Sequence, residues 1–253
     1  DNDMQRDYAY TVSRKASLLQ SASAVGIEAA KATVDRLGAR KINTANVPVL
    51  LHRDIASSLF GHYVGAISGG SLYRRSSFLL DSLGKQVFPE WLNIEERPFI
   101  KGGLASSSFD NEGVACSDMT IVDGGKLATY LYTTYSSRKL NTRSNGHAGG
   151  IHNWLVGDTG HSDADLLKEM GTGLFVTELM GQGVNGVTGD YSRGAAGYWV
   201  ENGIIQYPVH EVTIAGNLKD MFKGIVAIGA EKDVRGSVQT GSVLIDQMKI
   251  AGS

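Results

Sequence analysis

Tyr198-Trp199-Val200-Glu201 and Ile204-Ile205-Gln206-Tyr207 flank the pair Asn202-Gly203, and no other feature constrains the fold as tightly. An Asn-Gly pair between two strand-like runs is a strong hairpin signal, because a type I′ turn needs positive φ at both central residues. Upstream lie Phe175-Val176 and Leu179-Met180, followed by Gly181, Gly183, Gly186 and Gly189. Glycine marks places where a side chain is excluded or the backbone turns unusually. The pattern predicts an antiparallel β scaffold with a Gly-rich surface segment over residues 181–197 held between strands. Such a segment is either a set of turns or the wall of a groove.

Glycine supplies 32 of the 253 residues, well above the usual share of about 7%. With four prolines and no repeat period, that excess reads as many turns between short strands. A chain of this length can bury a sizeable core, as one β-rich domain or two smaller ones. The net charge of -2 provides no electrostatic footprint for nucleic acid or an anionic membrane. The single cysteine, Cys116, cannot form an internal disulfide, which fits a reducing compartment. No apolar run approaches the roughly 20 residues of a membrane span. A cytoplasmic location follows as the expectation.

Residues 1–14 read as a polar entry or linker. Apolar residues at helical spacing from Leu18 to Leu37, stopped by Gly38, predict one helix over residues 15–40. Residues 48–51 read as a buried strand. A second helix is predicted over residues 54–67, with Asp54 as its N-cap and Ile55, Leu59, Tyr63 and Ile67 on one face. Residues 68–71 break it, and a further helix is predicted over residues 76–83. Beyond Pro89 the signal turns to β, with a second hairpin around Asp123-Gly124-Gly125. Short helices are predicted over residues 131–140, over 163–170 behind a Ser162 cap, and over 218–225. A last strand covers residues 243–250. The fold class is therefore α+β: N-terminal helices, then a mainly antiparallel β domain, sandwich or barrel-like, with short helices. A division into residues 1–97 and 98–253 is expected.

Few residue patterns carry chemistry. Gly181-Gln182-Gly183-Val184-Asn185-Gly186 matches G-x-G-x-x-G, but no helix follows to seat a pyrophosphate. Asp158-Thr159-Gly160 is the tripeptide of aspartic proteases, and no second copy exists to share a proton; it reads as a turn. No G-x-S-x-G elbow is present. Cys116 has no base near it in sequence. Of the six histidines, His52, His62, His147, His152, His161 and His210, none forms H-x-x-x-H or H-E-x-x-H. His147 and His152, five apart in a glycine-rich loop, could chelate without a fixed geometry.

Several long runs resemble the PmbA/TldD family, the modulators of DNA gyrase (peptidase U62). They begin at Gly173-Leu174-Phe175-Val176-Thr177-Glu178, at Gly189-Asp190-Tyr191-Ser192-Arg193-Gly194 and at Tyr207-Pro208-Val209-His210-Glu211-Val212. Shorter ones lie at Gly65-Ala66-Ile67-Ser68-Gly69-Gly70, at residues 76–86 and at residues 102–113. The match is to the PmbA/TldE branch, C-terminal portion; members are about twice this length, so the family's N-terminal α+β domain is expected to be absent from this chain. The resemblance implies a cytoplasmic heterodimeric metalloprotease that degrades unfolded or small peptides and antitoxins and matures a peptide toxin. Its TldD subunit carries H-E-x-x-x-H and a later cysteine as zinc ligands.

On that resemblance Ser57 and Ser58 stand where the first His and the Glu would be, His62 remains, and Thr240 lies in the neighbourhood of the cysteine. One imidazole without a general base cannot hold a catalytic zinc and activate its water. The implied chain is a non-catalytic subunit without its own metal, with zinc in a TldD-like partner. Peptide or partner contacts are expected at Gly181, Gly183, Gly186, Asp190, Tyr191, Ser192 and Arg193. A homodimer in isolation is a further expectation, and direct contact with nucleic acid or membrane is not. Two alternatives stand beside this reading. One is a binding module for gyrase or a toxin–antitoxin pair without proteolysis. The other is a self-sufficient peptidase using His147, His152 or Asp158.

Overall fold

A computed structural model describes residues 3–252, so residues 1, 2 and 253 of the two expected regions lie outside it. Residues 3–15 run without helix or strand. The single helix expected over residues 15–40 is replaced by a 3-10 turn at Ala16–Leu18 and helix α1 at Ala22–Asp35. Ser21 accounts for the break, because its side chain accepts the Ala24 N–H and starts a new helix. No residue of α1 is buried.

Strand β1 (Ala45–Leu51) carries Pro48 at a register shift between Val47 and Val49, where a missing N–H is tolerated. Helix α2 (Arg53–Ile67) is capped by the ring nitrogen of His52, not by Asp54; Asp54 sits in the first turn, where a negative charge suits the helix N-terminus. Residues 68–71, expected only to break the chain, open a short helix α3 (Gly69–Tyr73) behind a Ser68 cap. The helix expected over residues 76–83 is absent. Turns occupy it, with Arg75 and Asp81 at φ of 55° and 53°, a conformation that a right-handed helix cannot include.

Next come β2 (Ile94–Glu96), β3 (Met119–Asp123) and β4 (Lys126–Leu127), the last two forming the hairpin expected around Gly124-Gly125. Helix α4 (Thr134–Lys139) and strand β5 (Trp154–Val156) bracket the loop of residues 140–153. Ser162 caps α5 (Asp163–Met170) with a full capping box to Asp165. Strand β6 (Gly173–Met180) leads to β7 (Asp190–Glu201) and β8 (Ile204–Asn217), joined where Asn202 and Gly203 take φ of 52° and 74°. The Gly-rich surface segment is thus only residues 181–189. From Asp190 onward the chain is strand, and Gly197 is there because a Cβ would meet the Phe175 carbonyl at 1.9 Å. Helix α6 (Leu218–Lys223) and strands β9 (Ile225–Ile228), β10 (Val238–Gln239) and β11 (Val243–Ala251) complete the chain.

The α+β class and a barrel-like β region are both observed. One sheet runs β1-β6-β7-β8-β11-β9, and β1 also pairs with β11, so five strands close on themselves. Only β1–β6 is parallel within it. A second sheet runs β10-β5-β2-β3-β4. Alternation decides the faces. Val49, Leu51, Leu174, Val176, Val243 and Ile245 join the main core with α2, α6 and the second sheet. Leu50, Phe175 and Leu244 face the other way, onto Leu166 and Met170 of α5. β2 and β3 pair across position 97, and the main core draws on residues from Val49 to Ile250. Among the described residues no helix is long and apolar enough to cross a membrane.

Candidate functional site

Helix α2 is two-faced. Ala56, Leu59, Phe60, Tyr63, Ala66 and Ile67 are buried, at the spacing that turns one helical stripe inward. Ser57, Ser58, Gly61, His62 and Gly65 lie on the opposite stripe, and clefts open along it. Toward its N-terminus Asp54, Ser57 and Ser58 face residues 177–179 of β6, Arg193 of β7 and the extended residues 6–8. In the middle Ser57, Ser58 and Gly61 face residues 149–151 and 236–238. Toward its C-terminus Gly61, His62 and Gly65 face Gln182, Val184 and Gly186. One helix face therefore unites the degenerate motif with the Gly-rich segment, which sequence spacing could not do.

Strand β6 contributes an edge. Residues 174–176 pair with β1 on one side, and β7 runs along the other. Beyond Val176, whose carbonyl accepts the His52 N–H, β1 gives way to α2. Among the described residues no strand pairs with residues 177–180 on that side. The extended N-terminal residues cross here. Arg36 is anchored on Glu178, pairs with Asp7 and donates to the Arg6 carbonyl at 2.9 Å.

The donor set on α2 does not fit a catalytic zinc. Ser57 and Ser58 offer neutral hydroxyls, and that of Ser58 already donates to the Ile55 carbonyl at 2.7 Å. His62 packs edge-on against Tyr191 with ring centroids 5.9 Å apart, and its Nε2 is buried without a hydrogen-bond partner. Burial, reinforced by the Arg193 charge, holds this imidazole below its ordinary pKa. Thr240 is fully buried, with its hydroxyl donating to the Gly241 carbonyl; a hydroxyl so engaged is a poor ligand.

The contact candidates divide into engaged and free groups. Arg193 donates to the Gly181 carbonyl at 3.1 Å, and Tyr191 is buried against His62. Asp190 is held by Thr188 and Asn217, which keep its carboxyl below the usual range. Gly183 lies against the strand, since a Cβ there would meet the Ser192 carbonyl at 2.1 Å, whereas Gly186 faces open space. Ser192 is exposed.

His147 and His152 meet away from α2, on a residue that no local spacing pointed to. Both approach Glu96 Oε1, at 3.0 and 3.1 Å, while the Trp154 indole donates to Oε2. All three are buried. Burial pushes the Glu96 carboxyl up, but the imidazoles and the indole N–H outweigh it, and the group lies below its ordinary range. Cys116, without a neighbour in sequence, has His152 Nε2 at 3.6 Å. Burial, then the charges of Asp110 and Glu96, raise its pKa, so it stays a thiol and not a thiolate nucleophile. Asp158 is elsewhere, paired with Lys232 at 3.1 Å.

The sequence profile of the PmbA/TldA metallopeptidase C-terminal domain matches residues 44–252. The chain belongs to this family. Metalloprotease PmbA of Escherichia coli O157:H7 is 58% identical over 252 residues, covering 100% of this chain and 56% of that protein. The PmbA homologue of Haemophilus influenzae is 56% identical with the same coverage. The chain thus spans about half the length of these PmbA relatives. A candidate modulator of a DNA gyrase from Thermotoga maritima superposes with a TM-score of 0.90 at 31% identity, over 97% of this chain and 59% of that one. TldE from Thermococcus kodakarensis, at 20% identity and a TM-score of 0.80 over 91% of this chain and 55% of that one, shares the fold. The expected PmbA/TldE resemblance is borne out.

Proposed function

We propose that this chain belongs to a non-catalytic, groove-lining subunit of a two-subunit zinc protease acting on unfolded or small peptides, with a TldD-type partner contributing the metal. The observation that carries the reading is the α2 face. It presents Ser57, Ser58 and a neutral His62 to the clefts along it, where the motif of the resembling catalytic subunit would present two imidazoles and a carboxylate. The names of the relatives, metalloproteases throughout the PmbA group, support the coarser statement. In this arrangement the chain binds and orients. An extended peptide laid along residues 177–180, in place of the N-terminal residues 6–8 that cross there, adds a strand to β6, and main-chain hydrogen bonds of that kind tolerate many sequences. Residues 181–189 and Arg193 form the adjoining wall. The compartment consistent with one unpaired cysteine is the cytoplasm.

The test is a reconstitution with the full-length protein. Hydrolysis of an unfolded polypeptide is expected only with a subunit that carries H-E-x-x-x-H, and the two should co-purify. Hydrolysis by the protein alone, abolished by His147→Ala, His152→Ala or Asp158→Ala, would establish the self-sufficient peptidase instead. Co-purification with gyrase and with no such subunit would establish the binding module, a reading to which the gyrase-modulator description of the Thermotoga maritima neighbour lends weight.

A further inference from the structure

The environment of His147 contains a proton-counting conflict. Asn145 has a fixed orientation: its Oδ1 accepts the Tyr132 N–H at 2.7 Å and its Nδ2 donates to the Tyr130 carbonyl at 2.8 Å. His147 Nδ1 lies 2.9 Å from that Oδ1. Two acceptors cannot face each other at that distance, so Nδ1 carries the hydrogen. In the neutral ring Nε2 is then a bare lone pair, and it lies 3.0 Å from a Glu96 carboxylate oxygen. A hydrogen on one of the two groups or a metal ion must stand between them. An added proton fits poorly, because Nε2 has no acceptor in hydrogen-bonding geometry despite that short distance, and the side chain is 2% exposed.

A metal ion fits. Glu96 Oε1, His147 Nε2 and His152 Nδ1 all lie within 4.8 Å of one another. The separations of 3.0 and 3.1 Å from the carboxylate oxygen approach the edge of about 3.3 Å that tetrahedral zinc sets between ligand atoms. The outer contacts are those that ligands require. Asn145 takes the remaining N–H of His147, Trp154 donates to the second Glu96 oxygen, and Cys116 Sγ lies at 3.6 Å from the other nitrogen of His152. Charge points the same way. Glu96 and Asp110 are 1% and 3% exposed, and among the described residues neither pairs with Lys or Arg. Asp110 is not itself a ligand, because its oxygens accept the N–H groups of Glu112, Val114 and Ala148.

We propose that Glu96, His147 and His152 form a structural site for one divalent transition-metal ion of the zinc class, separate from α2. Two imidazoles and a carboxylate select that class over calcium or magnesium. The site is too enclosed to receive a peptide. Its consequence is the placement of the loop between the two histidines, whose residues 149–151 face Ser57 and Ser58 across the middle cleft. The ion thereby holds one wall of the groove without entering the hydrolysis, and the site stands whether or not the protease reading does. Sequence reasoning expected no metal in this chain.

Metal analysis of the protein purified without chelator is expected to find about one zinc-class ion per chain. Cobalt(II) should restore tetrahedral visible absorption to the stripped protein without the thiolate-to-metal band that Cys116 ligation would produce. Chelator should lower the melting temperature, and zinc should restore it. Glu96→Gln is expected to lose the ion and His62→Ala to keep it, with affinity falling about 10- to 100-fold in Asn145→Ala. Loss of the ion in His62→Ala but not in Glu96→Gln would overturn the assignment. So would wild-type protein that holds no metal, shows no cobalt spectrum and melts identically with chelator or zinc. The wild-type arms remain decisive if the Glu96 variant fails to fold.

Discussion

His62 keeps an imidazole in the cleft but keeps it neutral. Burial and the Arg193 charge lower its pKa in the folded state, so the unfolded chain takes up a proton first as the pH falls through about 6.5. Its stabilisation is complete above that value and is lost as the pH falls toward the folded-state pKa. Chemical denaturation between about pH 7 and pH 5 should show a steeper loss for wild type than for His62→Gln; equal slopes would refute the assignment. Two glycines separate folding from binding in the same way. Gly183→Val drives a Cβ into the Ser192 carbonyl and is expected to cost about 1–3 kcal/mol. At Gly186 a Cβ meets nothing within 4 Å, so Gly186→Leu should stay within about 0.5 kcal/mol of wild type. Weakened peptide or partner binding in Gly186→Leu at unchanged stability would mark that position as groove wall. If binding is unchanged, the loop of residues 181–189 is a turn and nothing more.

Helix α2 links the core to the groove. Leu59 is 1% exposed, between the two serines and His62 in sequence but on the opposite face. Leu59→Ala should cost about 2–5 kcal/mol, read by denaturant midpoint, whereas Ser57→Ala should be close to neutral; a large cost for Ser57→Ala would mean a structural duty that its contacts do not indicate. The inner stripe of α2 was readable because helical periodicity is local. So were the Ser162 capping box and the Asn202-Gly203 turn, each a few residues long. The helix expected over residues 76–83 failed for the converse reason. Its apolar residues at helical spacing are real, but Phe78 and Leu79 reach the core from turns. Tertiary contacts hold them there: the Ser77 hydroxyl donates to the Ala66 carbonyl, and the Phe78 N–H donates to the Gly186 carbonyl.

On the scale of the molecule, closure of the β1-β6-β7-β8-β11 ring leaves few free strand edges, which is why the edge at residues 177–180 stands out. The extended N-terminal residues lie over it, held by Arg36. Arg36→Met should release them and speed proteolytic cleavage within residues 3–14 while the barrel amides keep their hydrogen-exchange protection. Unchanged cleavage would show that Arg36 is not the anchor. The fold class, the hairpins, the Ser162-capped helix and the family were all determined by the sequence itself, because turn chemistry, periodicity and long matching runs are properties of neighbouring residues. The tertiary structure alone decided barrel closure, the meeting of Ser57 and Ser58 with Arg193, and the gathering of Glu96 with His147 and His152. Those residues lie tens to more than a hundred positions apart in sequence, and only packing a buried core brings them to one cleft or one side-chain cluster.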